Sequence, residues 1–278
     1  MSVVGGPRRK FSTFSFDFDG IDEYVRADIV GGGFGSAVER NFSFWFKHSG
    51  YVSGSYNPFF CGGGLGTTTS RFRYKNGAGI IATGSGLPRI RWVVGGNGFG
   101  VVATTGGTVC YAESEVVDGS GLAPNIIDGN WHHVFIYNPV TSDSNRADIS
   151  NTKICLDGYQ LSLTTNAGTE SIRGFSDTIS IGGGSLGTAG SDVYTNGLID
   201  EFAYWDGSVL SSAAISEISE KPKNLNSLSN AVSTSSWYRL GDEADFSGGV
   251  WTLTDQGSNG SGGTSVNMGV DNRVADTF

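Results

Sequence analysis

The chain has 278 residues with 44 glycines, 6 prolines and 12% aromatic residues, and its formal net charge is −9. All-β sandwiches routinely use about 200–250 residues as one domain, and frequent glycine with abundant aromatics is typical of short strands joined by tight turns. The acidic balance argues against nucleic acid as a partner, because phosphate binding needs a basic face.

Three further features narrow the class of protein. No apolar run approaches the ~20 residues of a membrane span and no apolar signal core begins the chain, so we expect a soluble protein without a membrane partner. The basic run Arg8-Arg9-Lys10 predicts an N-terminal arm over residues 1–10. Cys61, Cys110 and Cys155 are odd in number and widely spaced, which argues against a disulfide framework or a structural zinc site.

Strand patterns follow one another along most of the chain. Phe14, Phe16 and Phe18 occupy every second position, which predicts a strand with one face in a core that a second sheet must cover. Asp157-Gly158 separates two short apolar runs and predicts a two-residue hairpin. Further strand patterns occupy residues 41–47, 67–74, 89–94, 131–137, 178–181 and 197–205.

One helix is predicted from Ser211 to about Lys221. Serine at the cap, Ile215 and Ile218 three residues apart, and Pro222 as a stop all favour it. With strands on both sides, the pattern predicts an all-β, antiparallel two-sheet sandwich with one short helix.

The order of these segments resembles the laminin-G-like, concanavalin-A-like jelly-roll family. Four motifs carry the resemblance: FDGIDEYV at 18–25, FSFWFK at 42–47, DGNWHHV at 128–134 with CLDG at 155–158, and GLIDEF at 197–202. The resemblance implies a jelly roll but little about function, because this fold hosts lectins, glycosidases, adhesion modules and structural parts.

The C-terminal tail resembles the segment that opens the family's domain. SWYRLGD at 236–242 and TDQGSNG at 254–260 normally precede the FDG motif, whereas here they come last. We therefore predict a circularly permuted single domain over 11–278, in which the 236–278 tail completes the sandwich. Two alternatives are a tail swapped into a neighbouring subunit and a separate hairpin appendage.

The resemblance also implies a calcium site on the outer sheet. It would use Asp200 of the IDE motif together with oxygens near the FDG turn, so Asp19 and Asp200 are the predicted metal ligands and calcium the predicted cofactor. In the alternative, Asp19 caps a turn and Asp200 accepts backbone hydrogen bonds.

A second candidate surface combines aromatic and arginine side chains on the middle strands. Such residues stack on sugar rings or anchor a protein partner when exposed, and burial in the sandwich is the alternative. The residues are Arg71, Phe72, Arg73, Tyr74, Arg91 and Trp92.

The titratable residues do not predict an enzyme. His132 and His133 are neighbours on a strand, so they face opposite sides and cannot bind one metal together. Glu113, Glu115 and Asp118 have the spacing but not the residue types of the paired acids in jelly-roll glucanases.

The leading hypothesis is therefore a non-catalytic structural or adhesion protein. The WYRLGD and DQGSNG segments resemble those of jelly rolls in tailed-phage virion proteins, which implies a capsid-decorating or tail-associated role at the virion surface, in a homo-oligomer. Its partners would be other virion proteins or a cell-surface glycan. The alternatives are a glycan-binding lectin module and a divergent glycosidase.

Overall fold

Two antiparallel sheets face each other in the computed structural model. It describes residues 12–28, 39–48, 56–62, 77–83, 86–94, 110–139, 149–166, 178–185, 192–228 and 232–276. The strands are Phe14–Asp19 (β1), Tyr24–Asp28 (β2), Arg40–His48 (β3), Tyr56–Gly62 (β4), Gly77–Thr83 (β5), Leu87–Val94 (β6), Cys110–Ser114 (β7), Trp131–Asn138 (β8), Lys153–Leu156 (β9), Tyr159–Gln160 (β10), Leu163–Asn166 (β11), Thr178–Ile181 (β12), Gly183–Ser185 (β13), Asp192–Tyr194 (β14), Asn196–Asp206 (β15), Ser236–Tyr238 (β16), Ala244–Ser247 (β17), Val250–Leu253 (β18), Gly263–Val266 (β19) and Arg273–Ala275 (β20).

The order of the strands defines two large layers within the described residues. Sheet 1 has the order β10-β9-β8-β3-β15-β1-β20, with β16 also paired to β15. Sheet 2 has the order β11-β7-β6-β5-β4-β12-β2-β19-β18-β17, and β13 and β14 form a small ribbon. The predicted antiparallel two-sheet jelly-roll sandwich is confirmed.

Alternating phenylalanines fill the space between the two sheets. Phe42, Phe44 and Phe46 of β3 are completely buried there. The ring of Phe42 lies 4.7 Å from that of Phe60 in sheet 2, and the rings of Phe44 and Phe59 are 4.8 Å apart. Aromatic pairs at these distances add to the stabilisation that burial provides, so β3 and β4 hold the layers together.

The predicted helix covers the outer face of sheet 1. Helix α1 spans Ser212–Glu220, and the Ser211 hydroxyl caps it by accepting a hydrogen bond from Ala214 N at 3.2 Å. Ala214 and Ile218 are buried against Trp205 in a second apolar cluster on that face. The central strands of sheet 1 are therefore apolar on both sides.

The predicted Asp157-Gly158 hairpin joins β9 to β10. Both turn residues have positive φ, 52° and 77°, and Tyr159 pairs with Leu156. Glycine is favoured at such a position because it has no Cβ, while aspartate tolerates it better than most residues.

The tail contributes strands to both sheets of its own chain. Tyr238 of β16 pairs with Phe202, Ser265 of β19 with Val25, and Val274 of β20 with Ser15. Trp251 of β18 lies with its ring 5.3 Å from that of Phe16 in the core. The 236–278 tail thus supplies neighbours to β1, β2 and β15.

Two sequence predictions lie outside the described residues, namely the N-terminal arm at 1–10 and the strand at 67–74. Among the described residues, no helix has the length and apolarity needed to cross a membrane.

Replacing Trp251 with alanine tests whether the tail is part of the core. We expect the free energy of unfolding to fall by about 3–5 kcal/mol, because truncating a buried tryptophan leaves a cavity. The neighbouring Val250 is 38% exposed, so Val250→Ala should cost about 0.5 kcal/mol or less. Urea unfolding of both variants would contradict the packing if their losses were equal.

Candidate functional site

The central strand β15 changes its partner half-way along its length. Residues 196–199 pair with β1, whereas residues 202–204 pair with β16 on the same side. Asp200 and Glu201 lie between these two pairings, Glu201 has a φ of 52°, and the register with β3 shifts at this point. The chain therefore leaves a gap in sheet 1 next to two acidic residues.

Four carboxyl groups and one hydroxyl meet at this gap, which we call the junction site. Its members are Ser12, Asp200, Glu201, Asp242 and Asp276. Ser12 Oγ is hydrogen-bonded to Asp200 Oδ2, and lies 3.0 Å from Asp242 Oδ2 and 2.8 Å from Asp276 Oδ2. Asp200, Glu201 and Asp242 each offer an oxygen within 4.8 Å of the others.

Asp242 also fastens the start of β1. Its carboxylate accepts hydrogen bonds from the backbone N of Thr13, at 3.0 Å, and from the Thr13 hydroxyl. The preceding Gly241 has a φ of 95°, and a Cβ there would lie 2.9 Å from the backbone of Phe14 and Ser15. Only glycine allows the tail to approach the first strand so closely.

Burial dominates the electrostatics of the junction site. It raises the pKa of Asp200 well above its ordinary value, and the neighbouring Glu201 and Asp276 raise it further. Burial raises the pKa of Glu201 to about 7, although Arg239 Nε lies 3.1 Å from Oε1 and Trp237 Nε1 donates to Oε2 at 2.7 Å. The pKa of Asp276 is raised by burial as well.

A second acidic feature lies at the far end of β1, and we call it the rim cleft. It has a volume of about 230 Å³ and is lined by Asp17, Asp19, Glu23, Asp271 and Asn272. Glu23 Oε2 accepts from Asp19 N at 2.8 Å, and Asn272 Nδ2 donates to Asp17 O at 2.7 Å. Burial raises the pKa of Asp17 and of Glu23, and the charge of Asp19 raises both further.

The structure does not bring Asp19 and Asp200 together. Asp19 pairs with Asn196, four residues before Asp200 on β15, which separates them by about 13 Å at the usual rise of a strand. Asp19 Oδ1 accepts from Ile21 N at 2.7 Å, and Asp200 Oδ1 accepts from Glu201 N at 2.7 Å. Asp19 therefore caps a turn and Asp200 accepts a backbone hydrogen bond, as in the alternative to a shared metal site. Asp19 belongs to the rim cleft, and Asp200 belongs to the junction site.

The aromatic and arginine surface is only partly described. Residues 71–74 lie outside the described residues. Arg91 Nε binds Glu113 Oε2 at 2.8 Å, and its guanidinium lies 4.6 Å from the centre of the Tyr111 ring. Trp92 is fully buried, which contradicts its assignment to a ligand-binding surface and matches the alternative of burial in the sandwich. It lies two residues after the buried Ile90 on β6, so both side chains are on the inward face of that strand.

The two histidines lie on opposite faces of β8. Nδ1 of His132 lies 2.7 Å from Asp157 Oδ2, and Nε2 lies 2.9 Å from Asp128 Oδ1. His133 is completely buried between the hydroxyls of Ser43 and Ser219, at 2.8 and 2.9 Å. His132 thus joins two turns, and His133 ties α1 to sheet 1.

No sequence pattern predicts Ser12 and Asp276 as members of a site. Ser12 and Asp276 are 264 residues apart in sequence, and neither belongs to a recognisable motif. Asp242 stands in the SWYRLGD segment, so the proposed return of the tail to the first strand was the one signal that could have brought it near Asp200.

Comparisons with known proteins give distant structural similarity alone. No protein-family model matches the chain, and no curated protein sequence does. A native heptameric SAP-like pentraxin from Limulus polyphemus is 12% identical, with a TM-score of 0.46 over 76% of this chain and 84% of that one. The CBM40 of the Ruminococcus gnavus IT-sialidase, bound to α2,3-sialyllactose, is 12% identical, with a TM-score of 0.45 over 74% of this chain and 97% of that one. The enzymatically active domain of bacteriophage CBA120 tailspike protein 2 is 12% identical, with a TM-score of 0.43 over 78% and 32%. Similarities this distant indicate no ligand and no activity.

The contacts of His132 lead us to expect that its contribution to the free energy of unfolding depends on pH. Burial lowers its pKa, but the hydrogen bonds to Asp157 and Asp128 outweigh burial and raise it overall. The contribution of the protonated ring is then full below the ordinary pKa of about 6.5 and is lost as the pH rises through the raised value. Denaturant unfolding of His132→Asn should show a larger loss at about pH 5.5 than at about pH 8.5. Equal losses at the two pH values would mean that the ring acts only as a neutral packing group.

Proposed function

We propose that this chain is a non-catalytic adhesion module that binds glycan at the rim cleft and belongs to a larger assembly at a virion surface. The observation that carries the proposal is the cleft itself. It is open to solvent, it is about the volume of a small sugar, and oxygen-bearing side chains from the start and the end of the chain line it.

The chemistry of the cleft suits a ligand rich in hydroxyl groups. Carboxylates accept hydrogen bonds from sugar hydroxyls, and such charge-assisted bonds are stronger than neutral ones. Ile21 lies between Asp19 and Glu23 in sequence, and Val270 directly precedes Asp271. The two side chains are 70% and 58% exposed. Aliphatic side chains in this position can cover the apolar face of a sugar ring, while the polar groups fix its orientation.

The charge of the cleft also selects among sugars. Four of its five lining side chains are carboxylates, namely Asp17, Asp19, Glu23 and Asp271. Placing a ligand carboxylate against them costs free energy through like-charge repulsion. We therefore expect neutral or amino sugars to bind, and sialylated or uronic-acid glycans to be rejected.

The assembly role is supported by sequence resemblance. The WYRLGD and DQGSNG segments resemble those of jelly rolls in tailed-phage virion proteins, in capsid decoration or the tail. A weak single-site affinity for glycan is sufficient in such an assembly, because many copies displayed together bind with greater avidity. A homo-oligomer at a virion surface is the arrangement that we propose.

Asp19→Asn tests the proposed glycan site. The asparagine oxygen can still accept the hydrogen bond from Ile21 N, so the turn is kept while one charge is removed. We expect binding to neutral glycans on an array to weaken about tenfold or more, the usual effect of losing a hydrogen bond to a charged group. The matched control is Asp118→Asn, because Asp118 caps Ser120 N in the same way, at 2.8 Å, in a different turn.

Three outcomes would contradict the proposal. The first is an array on which wild-type protein binds no glycan, and the second is equal loss in the two variants. The third is release of sugar from a bound glycan, measured by chromatography, which would favour a divergent glycosidase that uses the cleft carboxyls.

A further inference from the structure

Four side chains form a line across the outer face of sheet 1, and we call this line the outer row. Residues that lie directly opposite each other on antiparallel strands carry their side chains on the same face. Asp17 of β1 is opposite Leu198 of β15, Leu198 is opposite Lys47 of β3, and Lys47 is opposite Trp131 of β8. Because the adjoining Phe16, Phe46 and Ile199 are buried in the core, the members of the outer row point away from it.

The outer row is in contact with solvent, whereas the next row on the same face is covered. All four members of the outer row are half-buried. Trp45 and His133 lie two residues away along β3 and β8, and they are 8% exposed and completely buried. The Ser219 hydroxyl of α1 lies 2.9 Å from His133 Nδ1, so the helix covers this second row. The outer row is therefore the line of side chains that follows directly where the cover ends.

The outer row begins at the rim cleft. Asp17 lines the cleft and is also the first member of the row. Three strand spacings of ~4.8 Å separate β1 from β8, so Trp131 lies about 14 Å from Asp17 across the sheet. A molecule that extends from the cleft over Asp17 would therefore meet Leu198, then Lys47 and then Trp131.

The members of the row offer the contacts that a sugar chain uses. The indole of Trp131 is a flat surface with an apolar body and a polar N–H, on which the apolar face of a pyranose ring can stack. Leu198 adds aliphatic surface beside it. The ammonium group of Lys47 donates hydrogen bonds and the carboxylate of Asp17 accepts them, so both roles of a sugar hydroxyl are met. Apolar surface with a few convergent polar groups is typical of a small-ligand site.

We propose that the outer row extends the rim cleft into a binding site for an oligosaccharide of four or more neutral sugar units, with one ring stacked on Trp131. This inference rests on the proposed binding of glycan at the rim cleft. The cleft, at about 230 Å³, has room for one sugar unit. A hexose unit in an extended chain is about as long as the ~4.8 Å spacing of neighbouring strands, so the path from Asp17 to Trp131 accommodates about three more units.

The dependence of binding on chain length tests the inference. A glycan array printed with neutral oligosaccharides of one to six units measures it directly. We expect wild-type protein to bind chains of four or more units about tenfold or more tightly than the mono- and disaccharides that share their terminal sugar. The reason is that only the longer chains reach Trp131, and a well-placed aromatic contact is worth about this factor.

Two variants of Trp131 separate stacking from a structural role. Trp131→Ala removes the stacking surface, so we expect binding to chains of four or more units to weaken about tenfold or more and the dependence on chain length to disappear. Trp131→Phe keeps an aromatic ring and should restore most of the preference for long chains. Melting temperatures of both variants show whether the fold is retained.

Three further variants complete the comparison. Lys47→Ala is a milder change in the same row that should weaken binding to long chains several-fold, and it keeps the test valid if Trp131→Ala folds poorly. The matched control is Tyr159→Ala, because Tyr159 is an aromatic residue that is 36% exposed on β10, outside the row. It should keep the wild-type dependence on chain length. Asp19→Asn alters the cleft and should weaken binding to short and long chains alike.

The outcomes distinguish a failure of this inference from a failure of the proposed function. If wild-type protein binds no glycan, the proposed function fails and the inference fails with it. If short and long chains bind equally, or if Trp131→Ala and Lys47→Ala keep the preference for long chains, the inference alone fails and the rim cleft remains the glycan site. Equal losses for short and long chains in Trp131→Ala, with a lower melting temperature and no rescue in Trp131→Phe, would assign the indole a structural role and also overturn the inference.

Discussion

The arrangement of sheet 1 is set by a break in the backbone pairing along one side of its central strand, β15. One side of β15 is shared between β1 and β16, which run in the same direction and pair with its two halves. Backbone hydrogen bonds stop at the break, so side chains must hold the two partners together. Asp242 does this by binding Thr13 N, and Gly241 allows the close approach that the contact requires.

Polar side chains close the gap in sheet 1, and several of them are carboxyl groups buried close to one another. Desolvation raises the pKa of Asp200, Glu201 and Asp276, which means that these groups resist being charged where they stand. Replacing buried charged groups with well-packed apolar residues is often neutral or stabilising, so such groups are weak evidence of a contribution to stability. The three carboxyl oxygens around Ser12 Oγ are therefore held together at a cost in electrostatic free energy.

The junction site and the rim cleft illustrate two different uses of acidic residues on one strand and its neighbours. Three carboxyls of the junction site, those of Asp200, Glu201 and Asp276, are buried, and the half-buried Asp242 lies beside them. Those of the rim cleft line an open space, which suits a ligand from solution. The order of the segments explains why both lie where the beginning and the end of the chain meet.

Local patterns in the sequence determined the elements of this fold. Alternating phenylalanines in β1 and β3 predicted the buried faces, Ser211 and Pro222 bracketed α1, and Asp157-Gly158 specified its hairpin, because each depends on neighbours within a few residues. Tertiary structure alone decided which side chains share a site. Trp92 turned inward because of the phase of β6, Asp19 and Asp200 separated because of the register of β1 on β15, and Ser12 met Asp276 across 264 residues of chain. Spacing along a strand is a local property, whereas contact across a sheet depends on register and on the path of the whole chain.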